Sequence, residues 1–162
     1  MSVVGVTLVN AVGTDAMTYT GNSVATKTVT IGGSTYTAIA TPGSTANQYK
    51  VGTSVTTSAQ YLTECINASG TAANFGTATV ANPDVTASYS GGVVTLTARV
   101  AGTVGGGIYL ATDETNGAVG GVTLNACTGT NGSGSIPAWQ AAALTGLVDP
   151  KAKTHALLKE LV

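Results

Sequence analysis

Val85-Thr86-Ala87-Ser88-Tyr89-Ser90-Gly91-Gly92-Val93-Val94-Thr95-Leu96-Thr97-Ala98-Arg99-Val100 is the stretch that decides the fold. Two runs of β-branched and small residues flank a glycine pair, the pattern of a hairpin whose turn needs positive φ. On the second arm Val94, Leu96, Ala98 and Val100 share one face, because successive side chains of a strand point to opposite sides. The other face of that arm is threonine.

Working outward, the same grammar recurs. Thr26-Lys27-Thr28-Val29-Thr30-Ile31 runs into Gly32-Gly33 and out through Ser34-Thr35-Tyr36-Thr37-Ala38-Ile39-Ala40, a second hairpin with Val29 and Ile31 on one side and Thr28 and Thr30 on the other. Further strands are predicted at Val4-Gly5-Val6-Thr7-Leu8-Val9, around Tyr49-Lys50-Val51, at Ile108-Tyr109-Leu110 and at Val122-Thr123-Leu124. The segment near 55–69 changes period. Ala59, Leu62, Cys65 and Ile66 fall at helical spacing, Thr57 with Gln60 has the form of a capping box, and Gly70 stands where the helix should end.

These elements predict an α+β fold: mostly antiparallel, β-sandwich-like sheets with one packed helix and a short helical C-terminal appendage. We divide the chain into a β-rich structural domain, 1–130, and a linker with helical tail, 131–162. The tail opens with Asn131-Gly132-Ser133-Gly134, and Asp149-Pro150 supplies an N-cap and a first-turn proline for a last helix. Gly5-Val6-Thr7-Leu8 is echoed by Gly121-Val122-Thr123-Leu124, each soon followed by Asn-Ala, which implies two edge or neighbouring strands in similar environments.

Charge excludes most chemistry. Only 8% of the 162 residues are charged, against roughly a quarter in ordinary globular domains. A net charge of −1 leaves no basic surface to neutralise a phosphate backbone, so no nucleic acid is expected as a partner. No apolar run approaches the roughly 18 residues of a membrane span, and Met1-Ser2-Val3-Val4-Gly5 lacks the basic lead of a secretory signal, so no membrane association and no export by that route are expected. Five of the thirteen charges, Asp149, Lys151, Lys153, Lys159 and Glu160, sit in the tail, leaving eight for the body. A body so poor in charge suits packing against other subunits.

The residues that could carry chemistry read as structural. His155, the single histidine, is expected to face solvent or the end of the terminal helix. Asp113-Glu114 reads as a solvated pair at a turn, since adjacent carboxylates on a strand point apart and no calcium loop accompanies them. Gly102-Thr103-Val104-Gly105-Gly106-Gly107 lacks the Lys and the helix of a phosphate loop, and reads as a bulge or close backbone approach. Cys65 and Cys127 match no metal spacing; two buried thiols are expected, with a single bridge between them as the alternative. No catalytic, cofactor or metal site is expected, and no enzymatic activity. The candidate assembly contacts are Trp139, Lys151, Lys153, Leu157, Leu158 and Leu161, with Trp139 either anchoring a subunit contact or pinning the tail to its own domain.

From about residue 28 to residue 130 the order of pieces resembles a β-rich module of tailed-bacteriophage virion proteins, found in tail sheath, tail fibre and capsid decoration type proteins. The residues that carry it are Thr28-Val29-Thr30-Ile31-Gly32-Gly33-Ser34-Thr35-Tyr36-Thr37, Val51-Gly52-Thr53-Ser54 entering the helix that ends at Ile66-Asn67-Ala68, and Asn82-Pro83-Asp84-Val85-Thr86-Ala87-Ser88. Val93-Val94-Thr95-Leu96-Thr97-Ala98-Arg99, Ala101-Gly102-Thr103-Val104-Gly105-Gly106 and Ala111-Thr112-Asp113-Glu114-Thr115 complete it. Members commonly carry Gly-Asn where this chain has Gly106-Gly107. The resemblance implies a building block of the virion, assembled in the host cytoplasm, with major capsid protein or other virion subunits as partners and a homo-oligomeric state. A small chain of this kind fits a capsid decoration or cement protein. The alternatives are a tail or fibre component, or a receptor- or glycan-binding adhesin, whose sugar-stacking aromatics would be clustered where this chain's six Tyr, one Trp and one Phe are scattered.

Overall fold

A computed structural model of the chain describes residues 12–101 and 107–124. Two four-stranded sheets and one helix enclose a single apolar core. One sheet has the order β5 (Val85–Ser90), β6 (Val93–Ala101), β1 (Val12–Tyr19), β8 (Gly117–Val119), antiparallel throughout. The other has the order β4 (Gln48–Lys50), β3 (Ser34–Ile39), β2 (Thr28–Ile31), β7 (Leu110–Thr112), in which β3 and β4 run parallel. The architecture is the α+β, mostly antiparallel fold that the hairpin grammar predicts. The strand at 4–9, the bulk of the glycine run, Cys127, His155 and the whole tail with its candidate contacts lie outside the described residues.

Both predicted hairpins form around their glycine pairs. Gly32 and Gly91 take φ of 59° and 56°, the left-handed backbone that disfavours any side chain. Inward positions of the strands then alternate into the core: Val94, Leu96 and Ala98 from β6, Met17 and Tyr19 from β1, Val29 and Ile31 from β2, and Tyr36 and Ala38 from β3. Val100 departs from the predicted apolar face and is 55% exposed. Between the Val12–Ala101 and Thr14–Thr97 pairs, three residues of β6 stand against one of β1, and β5 begins only opposite Ala98, so Val100 has no sheet to cover it.

Helix α1 (Val55–Asn67) presents Ala59, Leu62, Cys65 and Ile66 to the core, as the helical spacing predicts. Full burial of Leu62 and Ile66 contributes about 1.5–3 kcal/mol each. The ends differ from expectation by one motif each. The capping box is Ser54 with Thr57, one step before Thr57 with Gln60: Ser54 is extended, its hydroxyl accepts the Thr57 N–H at 3.1 Å, and the Thr57 hydroxyl accepts the Ser54 N–H at 2.9 Å. The helix closes at Ala68, φ 47°, two residues before Gly70, where Ala68 and Ser69 donate to the Cys65 and Glu64 carbonyls.

Sheet edges are covered by single residues. The Asn67 side chain pairs with the β5 edge as a strand would, its amide donating to the Ala87 carbonyl at 2.7 Å and its oxygen accepting the Ala87 N–H at 2.9 Å. Phe75 bridges Tyr49 on β4, and Thr123 bridges Tyr109 beside β7. The segment 122–124 thus lies along a sheet edge as one bridge, short of the strand predicted there.

Candidate functional site

Pairing register makes the outer face of the β5–β6–β1–β8 sheet a lattice of short side chains. Thr86 lies opposite Thr97 and Thr97 opposite Thr14; Ser88 lies opposite Thr95 and Thr95 opposite Ala16; Ser90, Val93, Thr18 and Ala118 form a third row. Neighbours stand about 4.8 Å apart across strands and about 7 Å apart along them. Thr14, Thr18, Thr86, Ser88, Ser90 and Thr95 are exposed. Among the described residues only Arg99 brings a charge to this face, at its margin, and its Nε is held at 3.0 Å by the carbonyls of Asn82 and Val85.

The second sheet repeats the theme with charge at its borders. Thr28 faces Thr37, Thr37 faces Gln48, and the hydroxyls of Thr30 and Thr35 meet at 3.2 Å. Lys27 and Asp113 pair at 3.8 Å beside Thr28, and the Lys50 ammonium lies 5.9 Å from the Tyr61 ring centre. The first sheet is therefore the more uniform surface. Its methyl groups offer apolar contact and its hydroxyls can donate or accept, while a partner docking on it strips water from no full charge. Ser and Thr also lose little rotamer freedom when covered, compared with Lys or Glu.

Glu114, 6% exposed, is the one acidic residue among the described residues that is buried as a whole, which overturns the reading of Asp113-Glu114 as a solvated pair. Asp113 alone faces solvent, and its carboxylate accepts from Thr28, which with Lys27 holds it below the usual carboxylate range. Glu114 accepts the Val24 N–H at 3.0 Å and the Tyr49 hydroxyl at 2.9 Å, and the Tyr49 oxygen lies 3.1 Å from that of Tyr19. Burial pushes Glu114 upward despite those donors, and burial likewise raises both tyrosines. Tyr19 belongs to one sheet, Tyr49 to the other, Glu114 to the β7–β8 connection and Val24 to the loop after β1. The cluster is a polar brace between the sheets, closed by its own members.

Cys65 is a buried thiol, as expected; its Sγ lies 3.4 Å from the Gln48 carbonyl and burial pushes it up to about 12, far from thiolate chemistry. Sequence reasoning missed one strand of the lattice, β1, which supplies a residue to each of its rows. The signal was present: Thr14, Ala16 and Thr18 alternate with Asp15, Met17 and Tyr19, but Gly13 and Asp15 are poor strand formers and masked the period. In comparison with known proteins, no family model, no curated protein and no solved structure matches the chain.

Proposed function

We propose that the protein is a non-enzymatic structural subunit of a bacteriophage virion, a capsid decoration or cement protein that docks as a homo-oligomer on major capsid subunits. The observation that carries the reading is the exposed hydroxyl lattice of the β5–β6–β1–β8 sheet, a face without charge at its centre. A decoration protein must cover neighbouring subunits over wide, repeated contacts, and a neutral Thr and Ser face does so without desolvating ions. The order of hairpin, helix and hairpin, which resembles that of virion modules, supports the same reading.

Quantitative mass spectrometry of purified particles from the phage that encodes this chain tests it. The expected result is on the order of hundreds of copies per particle, as a contact repeated by shell symmetry demands. A handful of copies would overturn the decoration reading in favour of a fibre or adhesin, and no copies would overturn the virion reading altogether.

A further inference from the structure

Asn116-Gly117 is the one Asn-Gly pair among the described residues. Of the other described asparagines, Asn82 precedes a proline, which has no N–H, and Asn67, whose amide is tied to Ala87 through both its nitrogen and its oxygen, precedes Ala68. Asn22, Asn47 and Asn74 precede Ser23, Gln48 and Phe75, whose side chains crowd the approach to their own main-chain nitrogens. Packing keeps a glycine at 117, because a β-carbon there would run into the Cε of the fully buried Met17.

Register decides what the Gly117 nitrogen does. Thr20 N–H donates to the Asn116 carbonyl and Gly120 N–H to the Ala16 carbonyl, both at 2.9 Å, so residues 116, 118 and 120 carry the main-chain bonds to β1. The N–H of Gly117 therefore points away from β1, and no described residue accepts it. The Asn116 side chain is half-buried at the turn before β8, its amide nitrogen donating to the Asn22 carbonyl at 3.0 Å. Its Cγ lies 3.1 Å from where a β-carbon of Gly21 would stand. A main-chain nitrogen without an acceptor thus follows directly on an amide held, among the described residues, by one hydrogen bond.

We propose that Asn116 is a self-modification site, at which the Gly117 main-chain nitrogen attacks the Asn116 Cγ and the product unlatches β8 from β1. A new C–N bond closes a succinimide ring, the Cγ–Nδ2 bond breaks, and the proton of the attacking nitrogen leaves with Nδ2 as ammonia. Water then opens the ring. Addition at Cγ gives aspartate; addition at the former main-chain carbonyl gives isoaspartate, whose main chain runs through Cγ. Water is the only co-reactant. Either product sets a carboxylate oxygen where an amide donated to the Asn22 carbonyl. Isoaspartate also turns the carbonyl that accepts Thr20 into a free carboxylate, and adds one carbon to the main chain immediately before β8. With three residues paired to β1, β8 has no length over which to absorb that shift.

The test holds the full chain for weeks at neutral pH and follows each asparagine by peptide mapping, which separates Asn116 from Asn131-Gly132, the same dipeptide outside the described residues. The expected result is conversion at Asn116 ahead of every other described asparagine, with isoaspartate among its products, and a melt lowered by roughly 3–6 °C in the converted protein. Asn116→Asp, which carries the charge without the added main-chain carbon, should fall by less. Asn116→Gln, which closes its larger ring far more slowly, should keep its melt over the same weeks and so separates this change from ageing at Asn131. Conversion at Asn116 no faster than at Asn67 would overturn the proposal, and so would full conversion with an unchanged melt. No particle is needed, so this result and that of the virion reading are separate.

Discussion

Gly76→Ala is expected to lose roughly 3 kcal/mol of stability, about 10 °C of melting temperature. A β-carbon built on Gly76 would sit 1.8 Å from the main-chain carbonyl oxygen of Thr45, a contact that no rotamer change relieves. The approach is tight because Gly76 donates to the Gln48 carbonyl at 2.9 Å and Thr77 to the Gly43 carbonyl at 3.0 Å, which clamp the 43–47 loop against the turn after Phe75. That clamp also covers the β4 edge, so the loss extends to the sheet. Gly33→Ala is the control: nothing lies within 4 Å of its added carbon, and its melt is expected to stay within about 0.5 kcal/mol of wild type. Equal melting of the two variants would refute the clamp.

Glu114→Ala and Glu114→Gln are expected to diverge. The alanine leaves the Val24 N–H and the Tyr49 hydroxyl without their acceptor inside the protein, at about 2–3 kcal/mol together. The glutamine keeps an oxygen for Val24, can donate its amide to the Tyr49 oxygen, and removes a charge that burial disfavours, so it should lie within about 1 kcal/mol of wild type at pH 7. The two variants also separate in pH dependence. The folded-state value of Glu114 is raised above 4.5, so the native state binds the proton more tightly than the unfolded chain. Its contribution is fully present below the unfolded value and is lost as pH rises through the folded one. Wild type should therefore gain stability on acidification through the window just above 4.5, with Glu114→Gln showing a flatter profile there. The other charges facing the cluster, Lys27 and Asp113, are paired with each other at 3.8 Å, and the Thr28 hydrogen bonds and Lys27 hold Asp113 below the usual carboxylate range. Denaturant melts between pH 4 and pH 7 read both effects; identical profiles for wild type and Glu114→Gln would remove the brace's electrostatic account.

Local periodicity made the hairpins, the helix and its buried stripe legible. Val94, Leu96, Ala59 and Leu62 announce their faces because their neighbours in sequence are also their neighbours in structure. Sheet order was not legible. β1 inserts beside β6 across more than seventy residues of chain, and the parallel approach of β4 to β3 is set by the loop through Asn47, at φ 58°, features with no local signature. Glu114 was misread for the same reason. Sequence shows only its neighbour Asp113, whereas its burial comes from Tyr49 and from Tyr19 and Val24, brought in from two distant segments. The hydroxyl lattice was half visible, since threonine at alternate positions marks each strand's outer face, but only the register aligns those faces into one surface.

Thr95→Lys places a charge in the middle row of that surface, between Ser88 and Ala16, without touching the core. The isolated variant should melt within about 0.5 kcal/mol of wild type. In particles assembled with the variant, a covered lattice would bury the ammonium at a cost of about 3 kcal/mol, so copies per particle should fall roughly a hundredfold. Copy number by quantitative mass spectrometry, wild type against Thr95→Lys, is the most direct measurement of whether this face packs against other subunits. Loss of the variant from particles with an unchanged melt is the predicted result, and incorporation at the wild-type copy number would contradict it.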